Sequence, residues 1–425
     1  MRTDREEKAL RNLENRIHLC SRSITMPEES NTVLHIQSTL GFGGPRGTTF
    51  YVGDAPGDHN SQISLPILPA NHYMAKYALP SEWWEHDTLN NEPERKRKIL
   101  RVKGIRDDIF LERVPIIWKG TLPNGKKMTL ISKGKLHPYQ TYCVGHLWKC
   151  QHIEEDEGCK YCTLSLSVDR LNIPQAMTDD ENLMYLKLAM VNNKIRSITL
   201  TSGTIESPEN TGRELLVLAR RIREETGLSV HIQVEPIFNR ALLKELSEVA
   251  DTIGIFLEVF DERVRKQICP GKAKSFTQDE YLKCWELAAS YFGRGRVGTS
   301  NIIGFDEDYD VVLRGVEKAA KAGALVSTLF LRVGSPKLRN IIPSYIGREE
   351  EVLQLHMELG KILVENKVDD ASHQRSGCVG CLGCNSTREA ILWAREALAQ
   401  PKPEEVSSEE TYPQIPIPVL GHAAR

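Results

Sequence analysis

Between residues 140 and 333 the chain alternates short apolar runs with stretches of helical periodicity. The runs QTYCVG (140–145), IRSITLTS (195–202), LSVHIQVEP (228–236), TIGIFLEVF (252–260), RVGTSNIIGF (296–305) and ALVSTLFLRV (324–333) are rich in β-branched residues. Apolar residues at consecutive positions suit strands covered on both faces, as in a buried parallel sheet. The stretches 180–193, 213–227, 240–250, 279–293 and 310–323 read as helices, several of them ending at Gly and starting after Asp, Asn or Thr. Six consecutive βα units predict a parallel sheet with right-handed crossovers. The pattern does not itself say whether that sheet closes.

The flanks differ. Residues 1–135 read as an irregular, β-rich N-terminal cap, with short strands in TTFYVGD, IFLERVPIIW and KKMTLISKG. GFGGPRG (41–47) partly echoes a phosphate loop, but lacks a strand–loop–helix context and reads as a hairpin turn. The core is expected over 136–345. A helix at 348–366 opens an extension over 346–398, and the Pro- and Glu-rich residues 399–425 read as an extended tail.

The 425 residues carry a formal net charge of -2 with acids and bases mixed. That excludes a basic nucleic-acid footprint or polybasic membrane anchor. No apolar run approaches the roughly 18 residues of a membrane span. MRTDREEKAL lacks the apolar centre of a signal peptide, so the expected compartment is the cytoplasm.

Ten cysteines change the picture, because six of them fall into two tight groups. Cys150, Cys159 and Cys162 follow the first strand of the series, with Cys143 just upstream. Cys378, Cys381 and Cys384 form C-x-x-C-x-x-C after the last strand. Such spacing in a large chain favours metal binding over disulfides. Thiolates suit zinc or iron–sulfur clusters. Zinc would need a fourth ligand in each group, with His146, His152 and Cys143 near the first and His373 near the second. Three thiolates on a four-iron cluster instead leave one iron open. Placement at the C-terminal end of a parallel strand, where α/β folds put their chemistry, favours the cluster. Cys284 reads as core, Cys20 as part of the cap, and Cys269 as packing or a substrate neighbour.

Cys159-Lys160-Tyr161-Cys162 resembles the second half of the signature of the radical S-adenosylmethionine (radical SAM) superfamily. The first gap, between Cys150 and Cys159, is eight residues rather than the usual three, so Cys143 stands as the alternative first ligand. Thr201-Ser202-Gly203-Thr204 resembles the Gly-rich segment that contacts the methionine amino group. Glu258 matches an acidic SAM contact, and Ser300 to Gly304 match the segment near the adenosine. RVRKQICPGKA with DEYLKCWELAASYFGRG is similar to radical SAM proteins of nitrilase-linked operons, and more distantly to the biotin and lipoyl synthase branch.

The resemblance implies a partial (β/α)6 TIM-like barrel of α/β class with an N-terminal β-rich cap and a C-terminal cluster-binding extension. It implies SAM and two [4Fe–4S] clusters as cofactors, the first held by Cys150, Cys159 and Cys162 and the second by Cys378, Cys381 and Cys384. Tyr161, Ser202, Gly203, Thr204, Glu258, Ser300 and Gly304 would bind SAM. The expected reaction is reductive cleavage of SAM to a 5′-deoxyadenosyl radical for C–H activation, with sulfur insertion as in lipoyl synthase. Other radical transformations in a small-molecule pathway, or a zinc-stabilised binding module, are the alternatives. The implied partners are a small-molecule or carrier-bound acyl substrate and an external electron donor such as ferredoxin or flavodoxin, with no nucleic acid and no membrane. The second cluster would lie where the helix after the sixth strand folds back across the barrel mouth. Ser386 would be either its labile fourth ligand or a helix cap in a capping box with Glu389.

Overall fold

The computed structural model describes residues 2–25, 48–55, 60–68, 74–84, 99–113, 135–166, 178–332, 335–369 and 376–399. The expected turn at 41–47, the strand at 126–134, His373 and nearly all of the tail lie outside them.

The strands in chain order are β1 (Ile24–Thr25), β2 (Thr48–Gly53), β3 (Ser61–Leu65), β4 (Ile67–Leu68), β5 (Leu79–Trp84), β6 (Ile99–Lys103) and β7 (Asp108–Arg113), which build the cap. Then come β8 (Lys135–His137), β9 (Thr141–Gly145), β10 (Ser197–Thr201), β11 (Ser229–Val234), β12 (Thr252–Ile255), β13 (Val297–Ile303) and β14 (Ala324–Phe330). The cap sheet has the order β3-β2-β7-β6-β5-β1-β4, and the core sheet runs β14-β13-β12-β11-β10-β9-β8.

Strands β9 to β14 are parallel neighbours in sequence order. All six were expected from the apolar runs. β8 adds an antiparallel edge. The two edges, β8 and β14, do not meet, so the sheet curls into an open half-barrel. Every residue of β9, β10, β12 and β13 is buried, and none of these strands carries a charged residue. The helices on the outside are capped as their sequences suggest, with capping boxes at Thr178–Glu181 and Thr277–Glu280.

The N-terminus corrects the reading of an irregular cap. Asp4–Arg22 is a 19-residue helix, capped by the Thr3 hydroxyl and with acidic residues in its first turn. Leu10, Leu13, Ile17 and Cys20 recur at helical spacing and are all buried. This face packs on the C-terminal helix Thr387–Leu398. At that seam the Arg16 guanidinium donates to Glu389 Oε1 at 2.5 Å and to the Gln62 carbonyl at 3.0 Å. Both side chains of the ion pair are under a tenth exposed. Glu389 is thereby committed to Arg16, and the capping box expected with Ser386 is not formed.

Cap and C-terminal segment together fill the gap between the sheet edges. The Ser64 N–H of β3 donates to the Gly383 carbonyl at 2.8 Å. Arg332, just past β14, donates to the carbonyls of Ser64 and Cys384 at 2.6 and 3.1 Å. The Thr328 N–H on the outer edge of β14 donates to Thr387 Oγ1 at 3.0 Å. Among the described residues no helix is long and apolar enough to cross a membrane.

Removing one partner of the buried pair should strand the other charge. Glu389→Ala is expected to cost about 3–5 kcal/mol in urea unfolding. The double change Arg16→Met, Glu389→Leu is expected to recover most of that loss. Equal losses in both variants would show that the seam does not depend on this contact.

Candidate active site

Successive inward positions of the parallel strands line one cavity of about 300 Å³. They include Thr141 and Cys143 from β9, Thr199 and Thr201 from β10, Gln233 from β11 with Glu235 just beyond it, and Ser327 and Leu329 from β14. The step of two residues is the strand's own side-chain period. Both cysteine groups open into this cavity: Cys150, Cys159 and Cys162, and Cys378, Cys381 and Cys384.

The first group sits at the C-terminal ends of the strands. Cys150 precedes the short helix Gln151–Glu154, whose first N–H donates to the Thr204 carbonyl at 2.9 Å. The turn after β10 lies directly on Cys150. A Cβ at Gly203 would come within 2.1 Å of the Lys149 carbonyl oxygen and 2.5 Å of Cys150 Cβ, so only glycine fits there. The Cys159–Cys162 turn is closed by the Cys162 N–H donating to the Cys159 carbonyl, and is anchored by Lys160 N–H donating to Ile268 O at 2.8 Å. Tyr161 is buried on the cavity wall.

The expected SAM-binding residues gather around this group, with one exception. Ser202, Gly203, Thr204, Glu258 and Ser300 all line the cavity. Glu258 Oε1 accepts from Lys272 Nζ at 2.9 Å, and Oε2 accepts from Ser300 Oγ at 2.9 Å. Its backbone has φ 78°, a left-handed conformation unfavourable for a glutamate. Bonds between Glu258 and the backbone of Ser300 and Ile302 hold it there. Gly304 is the exception. It lies off the cavity wall, where its N–H donates to Glu307 Oε1 and its missing Cβ makes room for Tyr345 and Leu331. Its φ of 119° and this packing account for the glycine.

Three neighbours, Glu235, Lys272 and Gln233, were missed in the sequence, and a fourth, Cys269, was read only as packing or a substrate neighbour. Glu235 receives His152 Nε2 at 2.9 Å and the Thr204 hydroxyl on Oε1, while its buried Oε2 has no partner among the described residues. Its signal was an acid at a strand end, the same signal that singled out Glu258. Lys272 bonds Glu258 and the Phe256 carbonyl. Burial opposes its charge, but Glu258, Cys159 and Glu235 outweigh that and raise its pKa. Cys269 is fully buried against Cys159 and hydrogen-bonds it, which holds the Cys159 thiol below its ordinary pKa. Only its place before a helix-starting Pro270 marked it in sequence. Gln233 reaches the second group, as described next.

That second group lies at the opposite end of the strands from the first, on the barrel floor rather than across the mouth. The helix Gly377–Cys381 packs against the starts of β10 to β13. Ser376 Oγ donates to Val230 O at 2.7 Å and pairs with Thr252 Oγ1 at 2.8 Å, both near the starts of their strands. A Cβ at Gly377 would sit 2.2 Å from the His231 ring, so glycine lets the floor helix enter. Burial pushes the His231 pKa down to about 3, leaving it neutral. Gln233 Nε2 donates to Cys378 Sγ at 3.2 Å, Cys381 Sγ lies 3.3 Å from the Pro138 carbonyl, and Cys384 Sγ lies 3.8 Å from His137 Nδ1. Gly383 N–H donates to the Cys381 sulfur. The fully buried Ser386 hydroxyl bonds nothing among the described residues and is absent from the cavity wall.

The three thiolates of the first group fit an iron–sulfur cluster. All ten cysteines are free of disulfides. Among the described residues no three Cys, His, Asp or Glu side chains are drawn tightly enough to hold a single metal ion. Cys150 keeps company with Cys159, while Cys143 lies near Cys381.

Residues 156–338 match the family model of the Radical SAM superfamily. No curated protein matches the chain. Among solved structures the chain is similar to methylornithine synthase (PylB), at 16% identity and a TM-score of 0.41, over 58% of this chain and 69% of that one. It is also similar to a radical SAM methyltransferase from Sphaerobacter thermophilus, at 11% identity and a TM-score of 0.38, over 68% of this chain and 75% of that one. With Cys159 and Cys162 inside the matched segment and Cys150 just ahead of it, residues 156–338 are a radical SAM domain.

Proposed function

We propose that this protein is a radical SAM enzyme whose substrate lies between two iron–sulfur clusters in the half-barrel. The observation that carries the reading is the shared cavity, with one cysteine triad at its top and the other at its floor. Along β11, Gln233 touches Cys378 below and Glu235 touches His152 of the upper loop. Two residues of strand rise about 7 Å, so a small molecule between the triads is within reach of both.

When bound, the upper cluster and SAM supply reductive cleavage of the sulfonium and a 5′-deoxyadenosyl radical for hydrogen abstraction. Cys150, Cys159 and Cys162 would hold three irons and leave the fourth for SAM. The second oxygen of Glu235, without a partner among the described residues, would accept from the ammonium of SAM. Lys272, with one donor beyond its bonds to Glu258 and Phe256, offers a cation for its carboxylate. The apolar wall, including Phe256, Ile302 and Leu329, excludes water from the reacting centre.

Cys378, Cys381 and Cys384 would hold a floor cluster, which would supply sulfur for insertion as in lipoyl synthase, on a small or carrier-bound acyl substrate. Electrons come from an external donor such as ferredoxin or flavodoxin.

Anaerobically prepared protein is expected to carry about eight irons per chain. Reduced with dithionite in the presence of SAM, it should release 5′-deoxyadenosine, and Cys159→Ala should release none. Colourless protein with bound zinc and no 5′-deoxyadenosine would overturn the reading. Glu235→Gln removes a charged acceptor and is expected to weaken SAM binding about tenfold or more, read by titration calorimetry. Gly203→Ala should displace Cys150 and lower the iron content of the upper site while leaving the floor site loaded.

A further inference from the structure

We infer that Cys143 is the fourth thiolate of the floor site, joining Cys378, Cys381 and Cys384. The inference rests on reading that triad as an iron–sulfur site. Sequence spacing made Cys143 a rival for the upper cluster, and the barrel geometry removes it from that role.

Cys143 lies in the middle of β9, paired with Lys135 of β8 on one side and Thr199 of β10 on the other. Two ladders therefore fix its backbone, and its side chain turns inward to the cavity that the three floor cysteines share. It is 5% exposed. The floor helix and its following turn rise beneath it. Cys378 stands on the β11 side, against Gln233, while Cys381 stands on the β9 side, against the Pro138 carbonyl. Cys143, Cys381 and Cys384 all line the same cavity, and the floor helix packs against β9.

A second observation points to the same place. Thr199, the ladder partner of Cys143, is 1% exposed and lines the cavity, yet its hydroxyl has no partner among the described residues. A buried hydroxyl left so is costly unless something in the cavity accepts from it, and a cluster sulfide beside Cys143 would do so.

The other candidates for a fourth ligand fit less well. Ser386 and Cys20 are buried but absent from the cavity wall. His137 lines the cavity, but its Nδ1 already lies against the Cys384 sulfur. With Cys143 in place the floor cluster is fully held by thiolates and exposes no iron. Its reactive atoms are then its sulfides, in contrast to the upper cluster, which keeps an iron open.

The test uses the full chain with the upper site removed by Cys150→Ala, Cys159→Ala and Cys162→Ala, so that only the floor site is seen. This parent should bind about four irons. Reduced and mixed with isotope-labelled cyanide, it should show no cyanide hyperfine coupling in its paramagnetic resonance spectrum. Adding Cys143→Ala should either lower iron content at least twofold or open an iron that binds cyanide. Cys143→Ser should restore iron content with shifted g values, which separates ligation from damage to folding. Ser386→Ala and Cys20→Ala should match the parent. A Cys143→Ala protein identical to the parent in iron, g values and cyanide response would overturn the inference. A parent that binds no iron would overturn the cluster reading itself.

Discussion

An open parallel sheet has a hollow interior and two bare edges, and the rest of this structure follows from how they are closed. Six parallel strands cover only part of a barrel, so the edge of β14 presents unpaired backbone groups. The chain answers with its own flanks. Thr387 takes the Thr328 N–H, the Gly383 carbonyl takes the Ser64 N–H of the cap, and Arg332 ties the cap to the Cys384 turn. The segment that seals the edge is the one that carries the second cysteine triad. Sealing the barrel therefore places three thiols on its floor.

The two ends of the cavity differ electrostatically. At the top, Lys272 lies among Glu235, Glu258 and Cys159, an arrangement of opposite charges in a mostly apolar wall. Glu258 is held in a strained backbone conformation by β13, and Glu235 has its second oxygen to spare. Such features suit a charged, zwitterionic cofactor. At the floor the sulfurs meet a glutamine amide, a backbone carbonyl and the His137 ring, with the Arg388 cation acting on Cys381 and Arg332 bonded to the Cys384 carbonyl.

The βα series was legible because both faces of each core strand are covered, and uncharged, β-branched runs such as 297–303 follow directly from that. Cys159 and Cys162 stood out through their C-x-x-C spacing, whereas the eight-residue gap before Cys159 left Cys143 a rival to Cys150. The N-terminal helix was obscured by its charges, since seven of its 19 residues are buried and the rest read as a solvated run. The partners of the site were harder still. Cys269 meets Cys159, and Gln233 meets Cys378, across more than a hundred residues of chain. No local pattern records such meetings. The floor position of the second triad depended on which end of the strands the returning chain would reach, and that is set by the seam with the cap, not by the spacing of the cysteines.

Iron-edge anomalous diffraction from anaerobically grown crystals tests most directly whether one cavity holds a cluster at each end. Two separate groups of iron peaks are predicted, one against Cys150, Cys159 and Cys162 and the other on the floor against Cys378, Cys381 and Cys384. A single group of iron peaks, or zinc-edge peaks at either triad, would contradict it.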